Sequence, residues 1–487
     1  MSKTEEFDQK KKYTGPLVVL TTLFFMWGFI TCMNDILIPF LRKTFELGRF
    51  ESMLVQFAFF GAYFIGSLIY FIVSASKGDP ISKIGYKKGI IAGLLISAFA
   101  CALFFPAAEI KIYGLFLTAL FILGLGFTLL QIAANPYVAI LGSEKTASSR
   151  LNLAQAFNSF GTTIAPIIGG FLLFHFFARI GSPLLNQMGD PILTEDGTSI
   201  SKLGVQIPYL IFAGFFLLLA VVIKFTKLPQ FTNTASVDKG MGALKHRHLV
   251  LGMIAIFMYV GGEVSIGSVL MNFMNELNGF SEMTAKSYLA FYWGGAMIGR
   301  FLGAISLSDK GGSKKILYMV ITSILSFGII YLAVFIESGF TFKFSNITPF
   351  LLFMLLNLVA FKFGNSLPGR TLMIFALVVV GLLLNTMFTS GSTALWSILS
   401  IGLFNSIMWS NIFTLAIKDL GKDTAQGSSL LVMMILGGAL IPLIQGAVAD
   451  MLDGYHYSFF VPVFCYIYLA YYGWKGYKPK LDIDTKS

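Results

Sequence analysis

The sequence predicts an all-α, polytopic membrane protein, and three features predict it. Hydrophobic residues make up 56% of the 487 positions and charged residues only 12%, which leaves little chain for water-facing surface. Apolar runs of about 20 residues recur from end to end, the length a helix needs to cross roughly 30 Å of hydrocarbon. The short segments of alternating polarity that a membrane β-barrel requires are missing. The net charge of +11 would suit nucleic acid, but basic residues gathered in loops on one side of a bilayer explain it better. The lipid bilayer is therefore an expected partner and nucleic acid is not.

Taken in order, the apolar spans run over 16–41, 51–74, 85–107, 112–141, 150–178, 206–226, 247–277, 282–307, 313–336, 347–364, 371–390, 393–417, 424–449 and 456–476, which makes about 14. With the N-terminus inside, Lys and Arg number 26 on the inner side and 8 on the outer, and Arg300 falls within a span. That asymmetry places both termini in the cytoplasm. The spans at 347–364 and 371–390 are kept by parity. Without the first of them, Lys418, Lys422 and the C-terminal lysines would all face outward. They read as a hairpin closed inside by Lys362 to Arg370, with Pro368 and Gly369 at the turn. Met1 to Lys12 is polar, and the following apolar run is too long for a signal-peptide core, so the first span is expected to remain as an anchor. Cys32, Cys101 and Cys465 lie in apolar runs without metal-like spacing, which predicts buried thiols rather than a disulfide framework.

The two halves echo each other. Ala165 to Gly170 reads Ala-Pro-Ile-Ile-Gly-Gly, and Ile441 to Gly446 reads Ile-Pro-Leu-Ile-Gln-Gly. Each follows a matching loop, Leu141 to Thr146 and Leu420 to Thr424. Basic loops at Ser82 to Lys88 and Asp309 to Lys315 follow the second and eighth spans. Shared order argues for six spans (1–226), a basic cytoplasmic linker (227–246), and six more spans (247–487) with an inserted hairpin at about 340–392. Paired bundles suit alternating access around a midplane site.

Within the first span sits Asp35, after Asn34. A carboxylate in hydrocarbon is costly, by roughly 3 kcal/mol on insertion scales, so a chain that keeps one there usually employs it for an ion, a proton or a polar solute. It lies roughly 28 Å along the helix from Pro16, in the outer half of the bilayer. Glu263 occupies the counterpart seventh span, flanked by Gly261, Gly262 and Gly267, which allow close helix packing or local unwinding. The histidines, His175, His246, His248 and His456, avoid span centres, so neither a buried zinc site nor a catalytic histidine is expected.

The basic loops resemble the signature loop of the major facilitator superfamily. Asp309 to Lys315 fits it well, while Ser82 stands where the first copy would carry its acid. A narrower likeness rests on Asn34-Asp35-Ile36-Leu37-Ile38-Pro39, Ala133-Ala134-Asn135-Pro136-Tyr137 and Arg150 to Gly161. These strings resemble the fucose:proton symporter family. Tyr259 to Ser268 and Gly402 to Trp409 make the chain most similar to its glucose/galactose branch. The resemblance implies a fold of two pseudo-symmetric six-helix bundles, no enzymatic activity, no cofactor, and bacterial inner-membrane location as a monomer. It implies symport of a monosaccharide, glucose or galactose, with a coupling cation. Fucose, N-acetylglucosamine and a sugar sensor that does not transport remain alternatives. Two departures matter. Gln131 stands where the fucose symporter carries its second proton-linked acid, and Glu263 stands where that protein has glutamine. Proton and sodium therefore both stay open, with sodium placed near Asp35 and no other metal site.

Asp35 and Glu263 are the expected ion-coupling residues. Gln131 cannot titrate but donates and accepts together, which suits a sugar hydroxyl. Asn34, Gln155 and Asn158 are expected at the sugar, as are Tyr292, Trp293, Asn405 and Trp409, whose rings and amides match the C–H faces and hydroxyl rims of a sugar. Asn135 is expected to satisfy backbone freed by Pro136. Arg300 and Asp309 are expected in gating or packing, Arg300 outside the sugar site.

Overall fold

The computed structural model describes residues 3–45, 49–172, 176, 183, 190–191, 201–229, 240–309 and 311–479. The side chains of Asn34 and Asp35, and His175 altogether, lie outside the described residues. The helices are α1 (Lys3–Thr44), α2 (Arg49–Lys77), α3 (Pro80–Ile84), α4 (Tyr86–Ile110), α5 (Tyr113–Ile140), α6 (Ala147–Phe171), α7 (Leu203–Phe225), α8 (Arg247–Asn278) and α9 (Glu282–Ser306). They continue with α10 (Gly312–Glu337), α11 (Thr348–Gly364), α12 (Pro368–Phe388), α13 (Gly391–Asn405), α14 (Met408–Ala416), α15 (Thr424–Met433), α16 (Gly437–Met451) and α17 (Phe460–Tyr471). Among the described residues, ten helical stretches are long and apolar enough to cross a membrane, and Thr348–Gly364 is a shorter apolar helix.

Large apolar side chains cover the outside as well as the core. Phe99, Leu218, Leu325, Leu352 and Leu443 are all exposed. A water-soluble protein rarely shows such a surface; a bilayer removes its cost. Several helix boundaries follow local rules. Asp79 caps α3 by accepting from the Ser82 N–H, with Pro80 in the first turn, where a missing donor costs nothing. Ser281 caps α9 through the Thr284 N–H.

The pairing of helices repeats. In the first half α1 packs on α6, α2 on α5, and α4 on both α5 and α7. In the second half α8 packs on α16, α9 on α13, and α12 on both α13 and α17. So α12 stands in the second half where α4 stands in the first. The pair without a counterpart is α10 and α11, which lie against α9, α12 and α13. The hairpin expected at about 340–392 covers α11 and α12, which pack on each other and on α13. The loops matched in sequence both carry a short 3-10 turn, Glu144–Thr146 and Gly421–Asp423.

Between halves, α6 meets α9 and α2 meets α15, the fifth helix of each half against the second of the other. Two stretches of the second half are broken. Ser406 and Ile407 separate α13 from α14, and a 3-10 turn at Met434–Leu436 separates α15 from α16. Broken helices expose backbone groups that lack intrahelical partners.

Candidate functional site

In the first half, α1 and α6 cross at close range. A Cβ placed on Gly161 would fall on the Phe25 carbonyl oxygen and 2.8 Å from the Phe29 nitrogen. The same crossing lets Asn158 Nδ2 donate to the Phe24 carbonyl at 3.0 Å from a half-buried amide. Gln155 Nε2 donates to Asn135 Oδ1 at 3.4 Å, joining α6 to α5. Asn135 was expected to serve the backbone freed by Pro136. Its oxygen instead accepts from Gln155, and its Nδ2 is buried without a partner among the described residues. The amide of α6 is within reach and completes an amide pair. Gln131 is buried beside Tyr63 and Trp27.

In the second half one chain of hydrogen bonds ties four helices together. The Tyr466 hydroxyl donates to Asn405 Oδ1 at 2.8 Å. Asn405 Nδ2 donates to the Tyr292 hydroxyl at 3.1 Å, and that hydroxyl donates to the Glu263 backbone carbonyl at 2.9 Å. Asn405 is fully buried and committed at both ends, so it positions Tyr292 and α8. Close packing, one of the two options the glycines around Glu263 allowed, is what occurs: α8 runs unbroken, Gly261 abuts Ile441, and Gly267 carries the indole of Trp293. Trp293 is 42% exposed, whereas Trp409 is buried with its Nε1–H unpartnered among the described residues.

Glu263 is 8% exposed. Tyr259, one turn earlier on α8, lies beside it, and Arg300 of α9 is the cation that faces both. The break after α13 explains how Arg300 is held. The last carbonyls of a helix lack intrahelical donors and carry partial negative charge, and Arg300 Nε donates to the Ser406 carbonyl at 3.2 Å. Its Nη1 reaches across to Ser159 Oγ on α6. Arg300 thus connects the halves, a contact the sequence reading did not anticipate.

A further set of contacts joins the halves at the end bearing the basic loops. Ser148 pairs with Thr414 at 2.6 Å, Asn152 Nδ2 donates to Asn411 Oδ1 at 3.2 Å, and Lys418 meets Glu144 at 3.0 Å. Gln426 donates to Ser74 at 3.2 Å, and Ser74 donates to Asp79 at 3.4 Å. Asp79 is nearly buried and also accepts from Tyr70, so the first signature loop gains an acid three positions before Ser82. Burial holds its carboxyl above the usual carboxylate range. Asp309 faces Arg150 across the halves and Lys315 on its own side.

Sequence reasoning passed over Tyr259, Ser159, Tyr466 and Asp79. Tyr259 carried a signal, since residues four apart on a helix share a face and Glu263 follows at that spacing. Tyr466 stands in an aromatic-rich span with nothing to distinguish it.

The model for the Major Facilitator Superfamily matches residues 18–355. The chain belongs to this superfamily. It is 42% identical over 478 residues to a "Glucose/galactose transporter" of Brucella abortus, covering 97% of each chain. It is 32% identical over 467 residues to the "L-fucose-proton symporter" of Escherichia coli K12, covering 94% of this chain and 92% of that one. Among solved structures, a Major Facilitator Superfamily transporter, FucP, in the outward conformation superposes with a TM-score of 0.72 at 30% identity, over 95% of this chain and 98% of that one. The family resemblance read from the motifs therefore holds.

Proposed function

We propose that this superfamily member is a secondary active symporter that imports a neutral hexose, glucose or galactose, together with a proton or a sodium ion. Like the relatives named above, it is a transporter and not an enzyme. The observation that carries the reading is the pair of buried polar clusters, one on α1, α5 and α6 and one on α8, α9, α13 and α17, one in each quasi-equivalent half and linked by Arg300 and Ser159. Such clusters are expensive inside a membrane protein unless a polar cargo passes between them. The E. coli relative keeps fucose as the second reading, with N-acetylglucosamine beside it.

In this reading the basic end lies in the cytoplasm, with both termini, and its contacts close the cytoplasmic gate, so the state is outward-facing. Asp35 takes up the coupling cation from outside. Cation and sugar together shift the balance between outward and inward states, since a ligand moves a two-state equilibrium only by its differential affinity. Fourteen spans, residues 1–226 and 247–487 as halves joined by 227–246, and α10 with α11 as the inserted pair complete the architecture of a monomer in a bacterial inner membrane.

The test is uptake of labelled glucose, galactose, fucose and N-acetylglucosamine into proteoliposomes under imposed pH or sodium gradients. The reading expects glucose or galactose to accumulate above equilibrium. Binding without accumulation would indicate a sensor, and accumulation of fucose alone would move the cargo to the second reading.

A further inference from the structure

The second-half cluster contains groups the hydrogen-bond network does not use. The Glu263 carboxylate, more than nine-tenths buried, has the Tyr259 hydroxyl and the Arg300 guanidinium as its polar neighbours. The Tyr259 hydroxyl is buried and, among the described residues, makes no well-formed hydrogen bond. Arg300 commits Nε to Ser406 and Nη1 to Ser159, which leaves N–H donors to spare from a five-donor guanidinium. Buried polar groups are almost always satisfied, so an open hydroxyl and spare guanidinium donors gathered around a buried carboxylate point to a ligand.

The same geometry argues against a cation there. Glu263 is faced by the guanidinium of Arg300 and the phenols of Tyr259, Tyr292 and Tyr466, with no second carboxylate among them. A coupling ion at Glu263 would sit against a charge of its own sign in a low-dielectric setting. A neutral polyol meets no such penalty. A carboxylate accepts from two hydroxyls, a guanidinium donates to their oxygens, and a phenol does either.

We propose that Tyr259, Glu263 and Arg300 form the second-half sugar subsite, which grips adjacent free hydroxyls of an unmodified pyranose, and that Glu263 is a sugar ligand and not a second coupling acid. This rests on the hexose-transport reading above. It adds Tyr259 and Arg300 to the residues that set specificity, and it leaves Asp35 as the one coupling carboxylate, hence one cation per sugar.

The experiment measures equilibrium binding of D-glucose and its 2-, 3-, 4- and 6-deoxy analogues to the full-length protein in detergent. Wild type is compared with Tyr259→Phe, Glu263→Gln and Arg300→Lys, each checked for an unchanged melting temperature. Tyr259→Phe should weaken glucose about 3- to 10-fold, and Glu263→Gln, which loses the charge, and Arg300→Lys, which loses the planar fork of donors, about 10- to 100-fold. The decisive expectation is selectivity: the analogue lacking the gripped hydroxyl should bind wild type and Tyr259→Phe equally well, because the bond is already gone. Unchanged glucose affinity in Tyr259→Phe would overturn the subsite, as would one uniform loss across all analogues. Glu263→Gln that binds sugar normally but loses gradient-driven accumulation would restore Glu263 as a coupling acid. Wild type that binds no hexose at all would remove the transport reading itself, a separate failure.

Discussion

The chain Tyr466–Asn405–Tyr292–Glu263 makes a quantitative prediction. Tyr466→Phe deletes one hydroxyl and preserves ring packing, leaving Asn405 Oδ1 without its 2.8 Å donor. Asn405→Leu deletes two bonds at once, the one from Tyr466 and the 3.1 Å one to Tyr292. Interhelical hydrogen bonds in soluble proteins suggest about 1 kcal/mol each, but cycles within membrane helices average about 0.6 and reach about 1.7 kcal/mol. The membrane figure applies, because the unfolded helices also find partners in the bilayer. Tyr466→Phe should therefore destabilise by about 0.6 to 1.7 kcal/mol, and Asn405→Leu by about twice that plus any packing term. The double variant should cost less than the sum of the singles by one bond, about 0.6 to 1.7 kcal/mol. Unfolding equilibria of the four proteins in mixed micelles read this directly. Strict additivity would mean that the two side chains do not interact, and the account of how α8 is held would fail.

Two other perturbations test separate parts of the structure. Gly161→Ala drives a methyl into the Phe25 carbonyl, and a backbone atom cannot turn aside, so α1 and α6 must part; melting curves should show a loss of about 1 to 3 kcal/mol, and a neutral outcome would contradict the crossing. Asp79 titrates above its ordinary 3.8 in the folded protein, so the native state holds that proton more tightly than the unfolded chain does. Its contribution to stability is then greatest at low pH and falls as pH rises from about 3.8 through the raised value. Asp79→Asn should flatten stability over that window, and an unchanged pH profile would contradict its burial.

Much of the fold was legible in the sequence because hydrocarbon imposes a blunt rule. Apolar runs long enough to span it announce themselves, and repeated loops such as Leu141 to Thr146 and Leu420 to Thr424 mark the two halves. Which spans pack on which was less legible. The signature-like loop Asp309 to Lys315 precedes α10, so the next span read as part of the bundle; only packing shows α12 against α13 and α17. Lipid-facing and bundle-facing helices are both apolar, and composition does not separate them. For the candidate site, polar residues in apolar spans were visible one by one, but their connections were not. Asn405 looks like a sugar ligand in sequence and is bonded at both ends of its amide by tyrosines in space. Arg300 reads as a snorkelling side chain, yet the helix break at Ser406, which no proline or glycine signals, turns it inward.

Asp35 remains the centre of the proposed coupling, and replacing it with asparagine is the most direct test. Reconstituted Asp35→Asn should exchange labelled for unlabelled glucose across the vesicle membrane while failing to concentrate it under either a proton or a sodium gradient. If that variant concentrates glucose as the wild type does, a cation bound at Asp35 does not drive transport, and the proposed mechanism is wrong.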